Sequence, residues 1–477
     1  MKKLLTAVCV LLLCAGLLPG LMGYQLEQVF DDELLLLGSG TEEFVTVDEI
    51  SYQRGWFSSR VEIRLSLSDA YRETLLPLDD SEADEWVEML GEQIIVRIDV
   101  AHGPLLPESN SLLGLGFSKS ELQPGSAALS DLVERLEIPH LMEVRVHTGF
   151  TGNSVYTGSV PALTYDASGN VLNFSGMEFS GHAHPAQEQV AFDALISSIS
   201  IETLSGDILV KNIAYDFALQ RLAGEFWMGP GEMSVETVFL GDALDAEVFA
   251  IDELVVSVDN ALDEASNQMN ISLLYSIDEI RSDPGLNLKN SRFGVELKQL
   301  DIDALTSLYE LNQRIAAGEE VGPEQLREPV YSLVAGSPHM SLNPFAAVVN
   351  GEPFSAEFDF RLDGSALPES ESFDPMSESL WNDLLSGDAR MTFSESLANT
   401  MAGEIALSQL EEGLGDAANQ IDPAELQKLA QQQGIVLVQA LEQQGMIKAI
   451  DSGYESEISF RNGQVLMNGV VIPTGTL

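Results

Sequence analysis

The chain has 477 residues, of which 45% are hydrophobic, enough to bury the cores of two or three folded units. Its 75 acidic residues against 23 lysines and arginines leave a formal net charge of −52. That charge excludes a nucleic-acid partner and broad adhesion to anionic headgroups, and the self-repulsion it implies is relieved in a salt-rich medium.

The N-terminus, "MKKLLTAVCVLLLCAGLLPGLMGY", places two lysines before an uncharged apolar run from Leu4 to Tyr24. About 20 residues at ~1.5 Å each span ~30 Å, the thickness of a bilayer's hydrocarbon layer. Lys2 and Lys3 favour a cytoplasmic N-terminus with the rest translocated. No A-x-A-like cleavage site follows, so residues 1–24 are expected to be an uncleaved membrane anchor. Leu13 stands before Cys14 where a lipoprotein box wants a small residue, which argues against lipidation. Cys9 and Cys14 are the only cysteines, so the remainder can form neither a disulfide nor a thiolate metal site.

Residues 25–43 are expected to form a linker helix, and 44–320 a β-rich domain. "RVEIRLSLS" alternates, with Val61, Ile63, Leu65 and Leu67 opposite Glu62, Arg64, Ser66 and Ser68, as in a half-buried antiparallel strand. Ile94, Val96, Ile98 and Val100 repeat the pattern. Turn chemistry at Gly152-Asn153 and Ser168-Gly169-Asn170 predicts a meander, and alternation continues to about residue 301. Leu305, Leu308, Leu311 and Ile315 then predict a helix closed by Gly318. The break "GEEVGP" is taken as a boundary, with 321–477 an α+β domain. "SALPESESFDPMSES" reads as a loop. Helices are expected over 394–413 and from Pro423 to about Ile450, the second with an Asp422 cap and Glu425 at the third position. Asn462-Gly463 predicts a two-residue hairpin. The expected fold class is therefore α+β and β-rich: long curved antiparallel sheets with a few packed helices, preceded by one N-terminal transmembrane helix.

Several segments, in order, resemble one family: "SYQRGWFSS", "VAHGPLL", "LNFSGMEFSG", "GVELKQLDIDALTSLYELN" and "SEISFRNGQVLMNGVVIP". They are similar to the YdgA-like bacterial envelope proteins, domain-of-unknown-function family 945. The most specific elements are Y-x-R-G-x-F-S-S (Tyr52, Arg54, Gly55, Phe57, Ser58, Ser59) and H-G-P (His102, Gly103, Pro104). The resemblance implies an inner-membrane anchor with the bulk of the chain in the periplasm, and it supplies no catalytic residues. A fold-level similarity to AsmA-like proteins suggests lipid handling by analogy.

The common catalytic signatures G-x-S-x-G and H-E-x-x-H and a phosphate-binding glycine loop are missing from the sequence. Gly114 and Gly116 in "LGLGFSK" read as a turn. His182 and His184 would share a strand face but lack further ligands, and "DDSEADE" and "LEEG" lack calcium-loop spacing. No catalytic residue, metal site or cofactor is expected. The candidate binding residues are Arg54, Trp56, Phe57 and His102. Gly55 should bend the chain into a hairpin that presents Trp56 and Phe57, with Arg54 ion-paired and partly buried at its base, or else used for docking. His102 reads as a turn residue, with acid–base work as its other reading. The expected function is a non-enzymatic scaffold or carrier of an apolar envelope ligand, with the membrane and a lipid or envelope protein as partners. An envelope hydrolase with dispersed acidic residues is the alternative.

Overall fold

The structure is a computed structural model. It describes the chain apart from residues 1–44, 68–92, 107–108, 110–111, 168, 224–225, 243–245, 264, 283–284, 317–318, 320, 416–420, 462 and 473–477. The expected anchor and linker helix lie outside the described residues, and no described helix is long and apolar enough to cross a membrane. The chain divides into two units, Met1–Gln220 and Arg221–Leu477.

In the first unit, the strands are β1 (Val45–Arg54), β2 (Ser58–Leu67), β3 (Ile94–His102), β4 (Gly116–Pro124), β5 (Met142–Thr148), β6 (Ser154–Val160), β7 (Leu163–Ala167), β8 (Asn170–Phe174), β9 (Met177–His184), β10 (Gln189–Thr203) and β11 (Gly206–Ala223). The division between the units falls near the end of β11. All pairings are antiparallel, in the order β1-β2-β3-β4-β5-β6-β9-β10-β11. The β7–β8 hairpin continues this ladder, with β8 pairing the far half of β10. The expected alternation is present: Val61 and Ile63 are buried against Val47, Tyr52, Leu65, Val96 and Ile98. Gly152 and Gly169 take the positive φ that tight turns require.

The "LNFSGMEFSG" segment also shows why glycine is needed there. Gly158 on β6 lies opposite Phe179 on β9, and Tyr156 lies opposite Gly181. A Cβ on either glycine would overlap the facing ring. Each aromatic therefore lies flat across a glycine on the neighbouring strand, shielding backbone that has no side chain. Tyr156 also donates its hydroxyl hydrogen to the Ala191 carbonyl.

In the second unit, β12 (Phe226–Met228) precedes a run of long strands: β13 (Gly231–Gly241), β14 (Glu247–Asp263), β15 (Gln268–Ser282), β16 (Leu286–Asp301), β17 (His339–Val349), β18 (Glu352–Leu362), β19 (Leu385–Phe393), β20 (Lys448–Ile450), β21 (Gly453–Arg461), β22 (Gln464–Met467) and β23 (Val470–Ile472). From β13 to β19 each pairs with the next, antiparallel, and β21, β22 and β23 follow β19. The "GEEVGP" segment lies inside a helical insertion, and β16 and β17, on either side of that insertion, are paired.

Six helices are described: α1 (Ala127–Arg135) in the first unit, then α2 (Ile302–Ala316), α3 (Pro323–Ala335), α4 (Glu378–Leu384), α5 (Glu395–Leu414) and α6 (Pro423–Gln443). α2 matches the expected helix, but its buried face is Ile302, Ala304 and Leu311, while Ile315 is exposed. α5 matches its expected span. α6 carries the expected Asp422 cap on the Ala424 amide, but stops at Gln443 rather than near residue 450. Gly445 at φ 73° lets the chain reverse, and Lys448–Ile450 joins the sheet instead. α1, α3 and α4 were not expected. They are short, and Pro329 interrupts the α3 pattern.

Candidate functional site

The two most specific sequence elements meet in space. β2 and β3 are neighbours, with Ser59 opposite Val100. This register brings His102 Nε2 to 3.0 Å from Ser59 Oγ, which also accepts a hydrogen bond from the Tyr52 hydroxyl at 2.8 Å. The His102 amide donates to the Phe57 carbonyl at 2.8 Å. Tyr52, Ser59 and His102 thus tie the base of the β1–β2 hairpin to the end of β3. Ser59 and His102 are each only 4% exposed, so the pair is closed to a substrate in this conformation. Ser59→Ala removes the oxygen that links the other two side chains, and a loss of about 1–3 kcal/mol in urea unfolding is expected.

Arg54 ends β1 opposite Ser59 and is exposed rather than partly buried, because the turn begins directly after it. Gly55 forms the expected bend, its amide donating to the Ser58 carbonyl at 2.7 Å. Trp56 and Phe57 project from the tip, 54% and 61% exposed. Of the four sequence-predicted residues, the structure therefore collects all at one end of the first sheet, but only His102 is buried. Ser59, its partner, and Tyr52, which bonds Ser59, stand in the Y-x-R-G-x-F-S-S element but were not among the candidate binding residues. The missing signal was the strand register that joins residues 43 positions apart.

Among the described residues, one set of side chains has metal-binding geometry: Glu121, His140 and Glu143. Lys119 already lies between its carboxylates, 2.7 Å from Glu121 and 2.9 Å from Glu143. Its hydrogen bond holds the Glu121 carboxyl below the usual range. Burial pushes Glu143 up, but the hydrogen bond and charge of Lys119, with Arg145, outweigh it, and the net direction is down. Carboxyls depressed in this way stabilise the fold above their unfolded value of 4.5, and that contribution is lost as pH falls through the lower folded values. Lys119→Met is expected to lower stability at neutral pH by about 1 kcal/mol, given the lysine's partial exposure, and to flatten the acid limb of a stability–pH curve. His182 and His184 share a face of β9, their ring centroids 5.0 Å apart.

The second unit offers a different surface. Strand alternation there does not merely give each strand two faces; the register aligns them across the sheet. Val256, Tyr275, Phe293, Phe345, Ala356 and Met391 stand opposite one another in sequence across six strands. A second row runs from Leu273 through Val295, Leu342, Phe358 and Ala389 to Ile458. The next row beyond it is polar: Ser272, Glu296, Ser341, Asp359, Asp388 and Ser459. Along these rows one face is therefore apolar from strand to strand and the other polar.

Parts of the apolar face are covered. Ile302 of α2 packs with Met269, Leu262 and Leu300, and α5–α6 pack with Phe393 and Tyr454. Elsewhere the aromatics remain accessible. Tyr275 and Phe345 are each 37% exposed, and Phe293 links them at ring separations of 6.1 and 5.6 Å. Further along the strands, past the row of Val295, Leu342 and Phe358, lies a concavity of about 410 Å³ lined by Leu297, Leu300, Pro338, Met340, Phe360, Leu362, Trp381 and Leu385, with His339 and Arg361 at its edge. Trp381 is held by its indole hydrogen bond to the Pro375 carbonyl, 2.9 Å, and by an edge contact with buried Phe373. On the polar face, burial pushes Asp359 up, but hydrogen bonds from His339 and Arg361 hold its carboxyl below the usual range. An apolar hollow of this size with a few polar groups at its rim suits an apolar or amphiphilic small molecule.

Some of the scarce cations serve several acids at once. Arg281 binds Glu247, Asp252 and Glu279, and its guanidinium is held more firmly protonated by them. Arginine's planar fork makes this sharing possible.

Comparison with curated proteins and with solved structures finds no match. A family model matches residues 1–474, and the chain belongs to that family, described as "Bacterial protein of unknown function (DUF945)".

Proposed function

We propose that this protein is a non-enzymatic envelope protein, anchored in the bacterial inner membrane by its N-terminal segment with its bulk in the periplasm, that holds an apolar ligand against the second unit's sheet. The observation that carries the reading is the apolar face, aligned strand by strand and left accessible around Tyr275, Phe345 and Met340. A sheet face needed only for stability would be covered, because exposed apolar area forfeits about 25 cal/mol per Å². A lipid acyl chain matches the chemistry of the aromatic row and the hollow further along the strands. The acid excess fits a salt-rich medium, where screening offsets repulsion. The hydrolase reading would draw on Ser59 and His102, and the burial of both weighs against it.

Native mass spectrometry of the full-length protein released from lipid nanodiscs tests the proposal. A bound lipid mass is expected, reduced by Met340→Asp, which alters an exposed position and leaves the buried core alone. Bare polypeptide in the wild type contradicts it.

A further inference from the structure

The register of the first unit brings three connections to one end of its sheet. Ser58 pairs with Ala101, His102 with Gly116, Gly116 with Thr148, and Thr148 with Ser154. The β1–β2 turn, the β3–β4 connection and the β5–β6 turn therefore lie side by side. Hydrogen bonds tie them together: His102 N to Phe57 O at 2.8 Å, Leu115 N to Thr148 O at 2.8 Å, and His147 Nε2 with Leu113 O at 3.1 Å. From these connections project Trp56, Phe57, Leu105, Leu112, Leu113 and Phe150, each between 54% and 67% exposed.

Six large apolar side chains at adjoining loop tips are unusual in a water-facing protein, and their charge setting is equally distinct. The segments 55–57, 103–115 and 149–153 contain a single acidic residue, Glu108, in a chain with 75. The sequence between β2 and β3, residues 68–93, contains nine. Those three loops are thereby spared the repulsion that the acid excess sets up toward anionic headgroups. Tryptophan and phenylalanine at loop tips favour the interface, where a ring can lie between headgroup and acyl chain. Arg54 stands at the base of the tip, opposite Ser59.

We infer that this end of the first unit inserts its loop tips into the headgroup region of a lipid bilayer. A second copy of the chain or a protein partner would leave the near-absence of carboxylates without a purpose, whereas an anionic bilayer requires it. The inference rests on the anchored reading for proximity alone: residues 25–44 can span at most about 70 Å when extended, ample for the tips to reach back. It is independent of ligand binding in the second unit.

The test uses full-length protein reconstituted into phosphatidylethanolamine/phosphatidylglycerol vesicles carrying brominated phosphatidylcholine. The chain has four tryptophans, and of these only Trp56 belongs to the loops named above. Bromolipid should quench the emission, and Trp56→Phe should remove about half or more of that quenching. Leu112→Ser/Leu113→Ser, which retains Trp56, should weaken it with the far-ultraviolet circular dichroism unchanged. Equal quenching in wild type and Trp56→Phe overturns the inference. So does a dimer, seen by sedimentation in detergent, that Leu112→Ser/Leu113→Ser dissociates while Trp56 stays unquenched in vesicles. Unquenched Trp56 alongside a bound lipid mass in native spectra would overturn this docking and leave the carrier reading standing.

Discussion

Gly434→Ala is expected to destabilise the second unit by about 2–3 kcal/mol, whereas Gly403→Ala should be neutral or stabilising, although the two glycines face each other. α5 and α6 bury mainly small residues: Ala398, Ala402, Gly403 and Ala406 on one helix, and Ala430 and Gly434, between Leu426 and Val438, on the other. The four on α6 recur every fourth residue, so they form one stripe. A Cβ at Gly434 would lie 2.5 Å from the Gly403 nitrogen and 2.8 Å from the Ala402 carbonyl carbon. Both are backbone atoms and cannot rotate away, so the helices must separate and loosen the cluster of Ala398, Ala402, Val438 and Ile447. At Gly403 the nearest heavy atom is 3.6 Å from the added carbon, an ordinary contact, and alanine gains up to about 1 kcal/mol of helix propensity. Urea unfolding of the two variants, with hydrogen exchange at α5 and α6, separates the outcomes. Equal effects of both substitutions would mean that the helices do not approach through this stripe.

The second large effect concerns the H-G-P element. The Gly103 amide donates to the Leu115 carbonyl at 2.7 Å, which holds the returning chain against residue 103. A Cβ there would overlap the Gly114 carbonyl and come within 2.8 Å of the Leu115 oxygen. Gly103→Ala is expected to cost about 3 kcal/mol or more, since backbone must move on both sides. It should also release His102 from Ser59. Gly152→Ala is the comparison: φ is +85° there but nothing lies within 4 Å, so only the left-handed conformation is penalised, by about 1 kcal/mol. Thermal unfolding of the two variants checks the difference. If Gly152→Ala costs as much as Gly103→Ala, close approach of the chain is not what makes glycine necessary at 103.

What could be read from the sequence was local. Alternation at Val61 and Ile63 gave the right buried face, because a strand's period of two shows within a few residues. Hairpins at Gly152, Gly169 and Gly463 were visible because only certain residues accept positive φ. A further two-residue turn, Asn468-Gly469, carries the same signature and joins β22 to β23. Register was the invisible part. Tyr275, Phe293 and Phe345 lie up to 70 positions apart in sequence, yet they form one row, and a one-residue slip in any ladder would turn part of that row to the other face. The meeting of Ser59 with His102, and of three apolar loops at one end of a sheet, depends on the same long-range alignment. Helix ends were misplaced where a nearby strand competed, as at Lys448–Ile450.

Photocrosslinking in intact cells tests the central claim most directly. A benzophenone side chain at Phe345, which lies on the exposed part of the aromatic row, is compared with one at Ser272 on the opposite face of the sheet. After irradiation, mass analysis of the purified full-length protein should show lipid covalently attached at position 345 and none at 272. Attachment at both positions alike, or at neither, would contradict an apolar ligand held on this face.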